Sequence, residues 1–182
     1  MGEMAESRFG LELPWRIAAW GGSAVLLATP VIAMQVSDEW QWGPGAFVLL
    51  GGVLLVCCLT FELVARRAPG FAHRAGTAIA IAGGLLLFWG NLAVGFIGDE
   101  DNPANLAFYL LLLAGLAGGF LAGFRPRGLA RVLFAMAAAQ ILIGAIAIAY
   151  QLDDPISLAK LTGIFAAIWL AAALLFRQAE RG

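Results

Sequence analysis

Three carboxylates stand in a row at Asp99-Glu100-Asp101, with Asn102-Pro103 directly after them and the amide Asn91 inside the apolar run before them. Clustered oxygen ligands suit a hard cation such as Ca²⁺ or Mg²⁺. The spacing is not that of an EF-hand loop, and a structural reading competes. Asn102 is placed to cap a helix opening at Pro103, where the missing proline N–H would be unpaired anyway. Acidic groups beside a helix N-terminus are favoured by about 0.3–1 kcal/mol. Asp154-Pro155 repeats the arrangement, so Asp154 is expected to cap a second helix. The repetition favours capping over a ligand.

Few other residues offer chemistry. Glu62 is the only carboxylate inside an apolar run, and ionisable groups at such positions mark ion or proton pathways. It also stands four residues before Arg66, a favourable order for an ion pair on one helix. Asn91 and Gln140 are amides in separate apolar runs. They are expected either to pair between helices or, with Trp89 as a lid, to wall a polar pocket. His73, the single histidine, is expected as a solvated loop residue. One histidine excludes bis-histidine haem within the chain, and no His/Cys/Asp spacing suits zinc. Cys57 and Cys58 are adjacent, which argues against a mutual disulfide. No cofactor is expected. Pro30 interrupts the first apolar run, as in helices that line transporter cavities.

These groups need elements to position them, and composition says which. The chain of 182 residues is 62% hydrophobic and 13% charged, where a soluble domain carries about a quarter charged residues. Its mean hydropathy is +0.87. Six runs reach the ~20 residues that cross a ~30 Å hydrocarbon layer. They cover Pro14–Val36, Pro44–Val64, Arg74–Ile97, Pro103–Phe124, Leu129–Tyr150 and Pro155–Phe176. The expected fold is all-α, a polytopic transmembrane bundle of six spans in one domain. Short loops make neighbouring helices antiparallel, and a weak threefold pattern is compatible with three helical hairpins.

Charge sets the orientation. Arg8, Arg16, Arg66, Arg67, Arg74, Arg125, Arg127, Arg131, Arg177 and Arg181 fall at one set of ends. The other loops hold Asp38, Glu39, Asp99, Glu100, Asp101, Asp153 and Asp154, with Lys160 the one nearby cation. The inside-positive rule then puts both termini in the cytoplasm. Trp15, Trp20 and Phe71 mark the inner boundary, and Trp40, Trp42, Tyr109 and Tyr150 the outer one. A net charge of −1 gives no reason to expect nucleic acid; the expected surroundings are a lipid bilayer and membrane-embedded protein.

The most specific motif reports packing. Gly115, Gly119 and Gly123 form a tandem G-x-x-x-G, widened by Ala114, Gly118 and Ala122. Such a face admits another helix backbone at close range. Paired glycines recur at Gly21-Gly22, Gly51-Gly52 and Gly83-Gly84.

Along "NLAVGFIGDEDNPANL" and on through "FRPRGLARVLFAMAAAQ" the chain resembles a family of small, uncharacterised proteobacterial inner-membrane proteins. The resemblance covers the middle third to half of the sequence. It implies a bacterial inner-membrane address, and it implies no activity and no site residues. Heavy Ala, Gly and Arg usage agrees with a GC-rich bacterial genome. Two functional expectations remain: a non-enzymatic accessory or scaffold protein that associates laterally, with a second copy or another membrane protein, and a small transporter or ligand-binding carrier. An intramembrane enzyme is disfavoured, because no nucleophile–base pair is present.

Overall fold

The computed structural model describes residues 2–36, 42–66 and 70–181, with residues 2–13 as backbone alone. Six helices follow in chain order: α1 (Gly2–Val36), α2 (Pro44–Ala65), α3 (Phe71–Val94), α4 (Leu106–Leu121), α5 (Pro126–Ala149) and α6 (Pro155–Arg181). A 3-10 turn, Pro103–Asn105, leads into α4. All six helical segments are long and apolar enough to cross a membrane, taking the 3-10 turn with α4. The described residues hold no strand. Large apolar side chains lie open on the outside, Leu121 at 91% exposure and Val36 at 80%, which lipid accommodates and water does not. The fold is that of a multi-pass membrane protein. Asp38, Glu39, Trp40 and Arg67, and the side chain of Arg8, lie outside the described residues.

The helices start and stop for local reasons. Pro126 opens α5 behind an extended Arg125, and an extended Gly70 precedes α3. Both helices therefore begin three residues earlier than hydropathy alone places them. At its far end α4 closes with a Schellman turn. The Phe124 N–H reaches the Gly119 carbonyl at 3.1 Å and the Gly123 N–H that of Phe120 at 2.9 Å, with Gly123 at φ 58°. Glycine suits this left-handed position because it has no Cβ. α5 ends in the same way, Leu152 N–H to Ala147 and Gln151 N–H to Ile148, both 3.0 Å, but here Gln151 takes the left-handed position at φ 53°.

The chain divides into two compact units, Met1–Glu62 and Leu63–Gly182, where the sequence reading treats 1–182 as one domain. In the first, α1 and α2 run antiparallel. Arg16, near the start of the apolar span of α1, and Glu62, near the end of α2, form an ion pair. Further along, Ser23 Oγ lies 3.1 Å from Cys58 Sγ, which also faces the Ala19 carbonyl at 3.7 Å. α1 stays helical through Pro30, and beside it the Thr29 hydroxyl donates to the Val25 carbonyl at 2.9 Å.

The second unit is a four-helix bundle. α6 packs against both α5 and α3, α4 packs against α5, and α3 meets α4. Glycines set the close approaches. A Cβ on Gly76 would lie 3.3 Å from the Ala172 carbonyl oxygen. A Cβ on Gly83 would strike Ile168, and one on Gly144 would strike Thr162. The α4 glycines are spent inside this unit: Gly115 faces Met136, and Gly118 faces Val132 of α5, with a Cβ at 3.0 Å. Gly119 sits against Phe124 and Leu129, at 3.3 and 3.6 Å. Gly123 is not part of the face. It lies beyond the helix, with nothing within 4 Å of a Cβ, and its role is the chain reversal.

Candidate functional site

The polar groups singled out in the sequence divide between the two units, Glu62 in the first and Asn91, His73 and Gln140 in the second. Glu62 belongs to the α1–α2 unit, where its partner is Arg16 across the hairpin. The carboxylate is mostly covered, at 14% side-chain exposure, and the guanidinium is 48% exposed.

Asn91 lies at the acidic end of the bundle and is 1% exposed. Its Nδ2 donates to the main-chain carbonyl of Asn105 at 3.1 Å. The interhelical pairing with Gln140 expected from the sequence is therefore replaced by a contact to the backbone at the start of α4. Asn105, which the sequence reading passes over, is the organising residue here. Its Oδ1 accepts from the N–H groups of Phe96 and Ile97, each at 2.9 Å. Its Nδ2 donates to the carbonyls of Ile97 at 3.2 Å and Asp99 at 2.6 Å. One buried carboxamide thus uses its two lone pairs and two protons on a single loop. The loop needs this help because Gly95, at φ 65°, turns the chain out of α3. A side chain there would run into the Asp99 backbone.

The clamped loop sends its apolar residues inward. Phe96 packs on Phe108 and Phe165, with ring centroids 5.7 Å apart in each case. It also lies over Gly90, where a Cβ would be 2.6 Å from its ring. Ile97 is 2% exposed. These two residues close the acidic end of the bundle.

The carboxylates of Asp99, Glu100 and Asp101 lie on the exposed side of the same loop. Asn102 Oδ1 accepts from the Ala104 N–H at 3.0 Å, capping the 3-10 turn. Asp154 Oδ2 accepts from the Ser157 N–H at 2.7 Å, capping α6. That backbone hydrogen bond, then the Ser157 side chain, holds the Asp154 carboxyl below its ordinary range. Asp153 joins the two loops: its Oδ2 accepts from the Gly98 N–H at 2.9 Å. Among the described residues no three His, Cys, Asp or Glu side chains are grouped to hold a metal ion.

His73 is not a solvated loop residue. Because α3 begins at Phe71, His73 falls in the first turn and is fully buried. Its ring stands edge-on to Phe176 with centroids 5.1 Å apart. Its Nε2 lies 2.9 Å from the Val64 carbonyl. A carbonyl can only accept, so Nε2 carries the proton.

Gln140 stands on α5 of the same unit. It is 0% exposed, and neither its Oε1 nor its Nε2 has a protein hydrogen-bond partner. Thr162 Oγ1, Trp169 Nε1 and Asn91 Oδ1 are likewise buried and unpartnered. Thr162 and Trp169 give little signal in the sequence, because lone Thr and Trp residues are ordinary in membrane helices.

Compared with family models, with curated proteins and with solved structures, the chain matches none.

Proposed function

We propose that this chain is a bacterial inner-membrane protein, with both termini in the cytoplasm, that works without catalysis as an accessory or scaffold by associating laterally with other membrane helices. One contrast carries the reading. Six glycines of the four-helix unit, Gly76, Gly83, Gly115, Gly118, Gly119 and Gly144, meet neighbouring residues of that unit, while Gly163 of α6 stays open. The glycine pairs of the first unit, Gly21-Gly22 on α1 and Gly51-Gly52 on α2, have nothing within 4 Å of a Cβ. Small open faces on membrane helices favour close backbone approach. The bacterial inner-membrane address is supported by the resemblance of the middle of the sequence. The orientation is supported by the segregation of arginine from acid.

The non-catalytic part is supported by what the candidate groups already do. Glu62 is ion-paired with Arg16. His73 holds the Val64 carbonyl, and Cys58 faces Ser23. None forms the nucleophile–base pair that covalent catalysis needs.

Native electrophoresis of gently solubilised membranes tests the association. The reading expects a complex larger than the single chain that Gly51→Leu/Gly52→Leu dissolves. A single-chain particle in wild type contradicts it. Orientation is tested with an impermeant maleimide in a variant lacking Cys57 and Cys58. A cysteine at 101 should label from outside the cell, and labelling only from the cytoplasmic side reverses the topology.

A second reading, a small carrier for a neutral ligand, is favoured by one observation, the fully buried and unpartnered carboxamide of Gln140.

A further inference from the structure

A polar atom in a membrane bundle has no water beside it by default, and a buried donor or acceptor left without a partner is costly. The four-helix unit nevertheless buries Asn91 Oδ1, both polar atoms of Gln140, Thr162 Oγ1 and Trp169 Nε1 without protein partners. Asn91, Gln140 and Trp169 are each at most 1% exposed.

Helix packing brings these groups to one stretch of the interior. Gly144 of α5 faces Thr162 of α6. Gln140 is one turn from Gly144 on the same face, ~6 Å along the axis. Trp169 is two turns from Thr162 on the same face of α6, ~10 Å along it. The Trp169 ring lies 3.4 Å from a Cβ on Gly83 and 4.0 Å from one on Gly84. Asn91 is two turns above Gly84 on α3, again ~10 Å. Trp169 therefore lies lowest, ~10 Å below the level of Thr162 and Asn91, with Gln140 at an intermediate level ~6 Å below Gly144. Phe96, Phe108 and Phe165 supply the apolar wall and close the acidic end.

We propose that this stretch is a binding site for a small, uncharged hydrogen-bonding molecule: water, or a neutral amide or polyol presenting the same groups. The donors and acceptors fit such a ligand. Trp169 Nε1 can only donate, Asn91 Oδ1 can only accept, and Gln140 and Thr162 do both. None of the four is charged, so an ion would be buried there without a counter-charge, which is strongly unfavourable. A mostly apolar wall with a few convergent polar groups is the usual make-up of a small-ligand site. The inference deepens the carrier reading and is independent of lateral association.

Hydroxyl-radical footprinting in isotope-labelled water, on the full chain in nanodiscs, tests it. Held water is converted to radical in place, so Trp169 should take up the label despite its burial. Gln140→Leu should lower that uptake several-fold while melting at the same temperature or higher, because it removes polar atoms the protein does not pair. Thr162→Val carries the same comparison if Gln140→Leu does not fold. An unlabelled Trp169 in wild type overturns the proposal. So does equal labelling in wild type and in the folded variant. Molar urea or glycerol separates the sources. Protection of Trp169 relative to Trp42 identifies a solute-accepting site, and unchanged labelling identifies a site for water. Gly51→Leu/Gly52→Leu should leave Trp169 labelling unchanged, which keeps this test separate from that of association.

Discussion

The side-chain amide of Asn91 donates to the main-chain carbonyl of Asn105 at 3.1 Å, tying the last turn of α3 to the first residues of the next helix. The carboxamide of Asn105 then ties the loop between them, through Phe96, Ile97 and Asp99. The acidic knot around Asp99 is thus the outer surface of a loop whose fold is fixed from below.

Asn105→Ala should destabilise the four-helix unit by about 2–4 kcal/mol, since it strands several buried backbone groups at once. Asn102→Ala, which removes one cap, should cost about 1 kcal/mol. Thermal melts in detergent give both values. Hydrogen exchange should quicken between Gly95 and Asp99 in the first variant. Equal, small effects in the two would contradict the clamp.

The sequence makes part of this legible. Apolar run lengths give all six spans, and Asn102-Pro103 and Asp154-Pro155 give two capped helix starts. Helix edges are less legible. Gly70 and Arg125 carry no hydropathy signal, yet their extended backbones start α3 and α5 early, and His73 is drawn inside as a result. The role of Asn105 is hidden because its partners are backbone groups, placed by the left-handed turn at Gly95. A G-x-x-x-G face announces close approach and not its partner. That is why Gly115 and Gly119 turn out to pack within their own unit, while Gly123 ends a helix.

Gln151→Gly should raise stability by about 1 kcal/mol, because a left-handed conformation costs an L-residue about 1–2 kcal/mol that glycine does not incur. Gly123→Ala, at the matching position after α4, should lower it. Melting temperatures that move in the same direction would contradict the paired-turn account.

Asp154 sets a pH dependence. The Ser157 N–H, chiefly, holds the Asp154 carboxyl below the ordinary aspartate range in the folded chain. The stabilisation is therefore present above that ordinary range and is lost as pH falls through the lower, folded pKa. Asp154→Ala should melt below wild type at neutral pH, with the gap closing on acidification below the ordinary aspartate range. A gap that widens in acid would contradict the assignment.

The open glycine pairs of α1 and α2 are tested most directly by a photo-crosslinking amino acid at Val48, an exposed position one turn before Gly52 on α2. Irradiated in native membranes, it should give one discrete protein adduct, and Gly51→Leu/Gly52→Leu should abolish it. Adducts to lipid alone, or a protein adduct that survives the leucines unchanged, would contradict a scaffold that associates through this face.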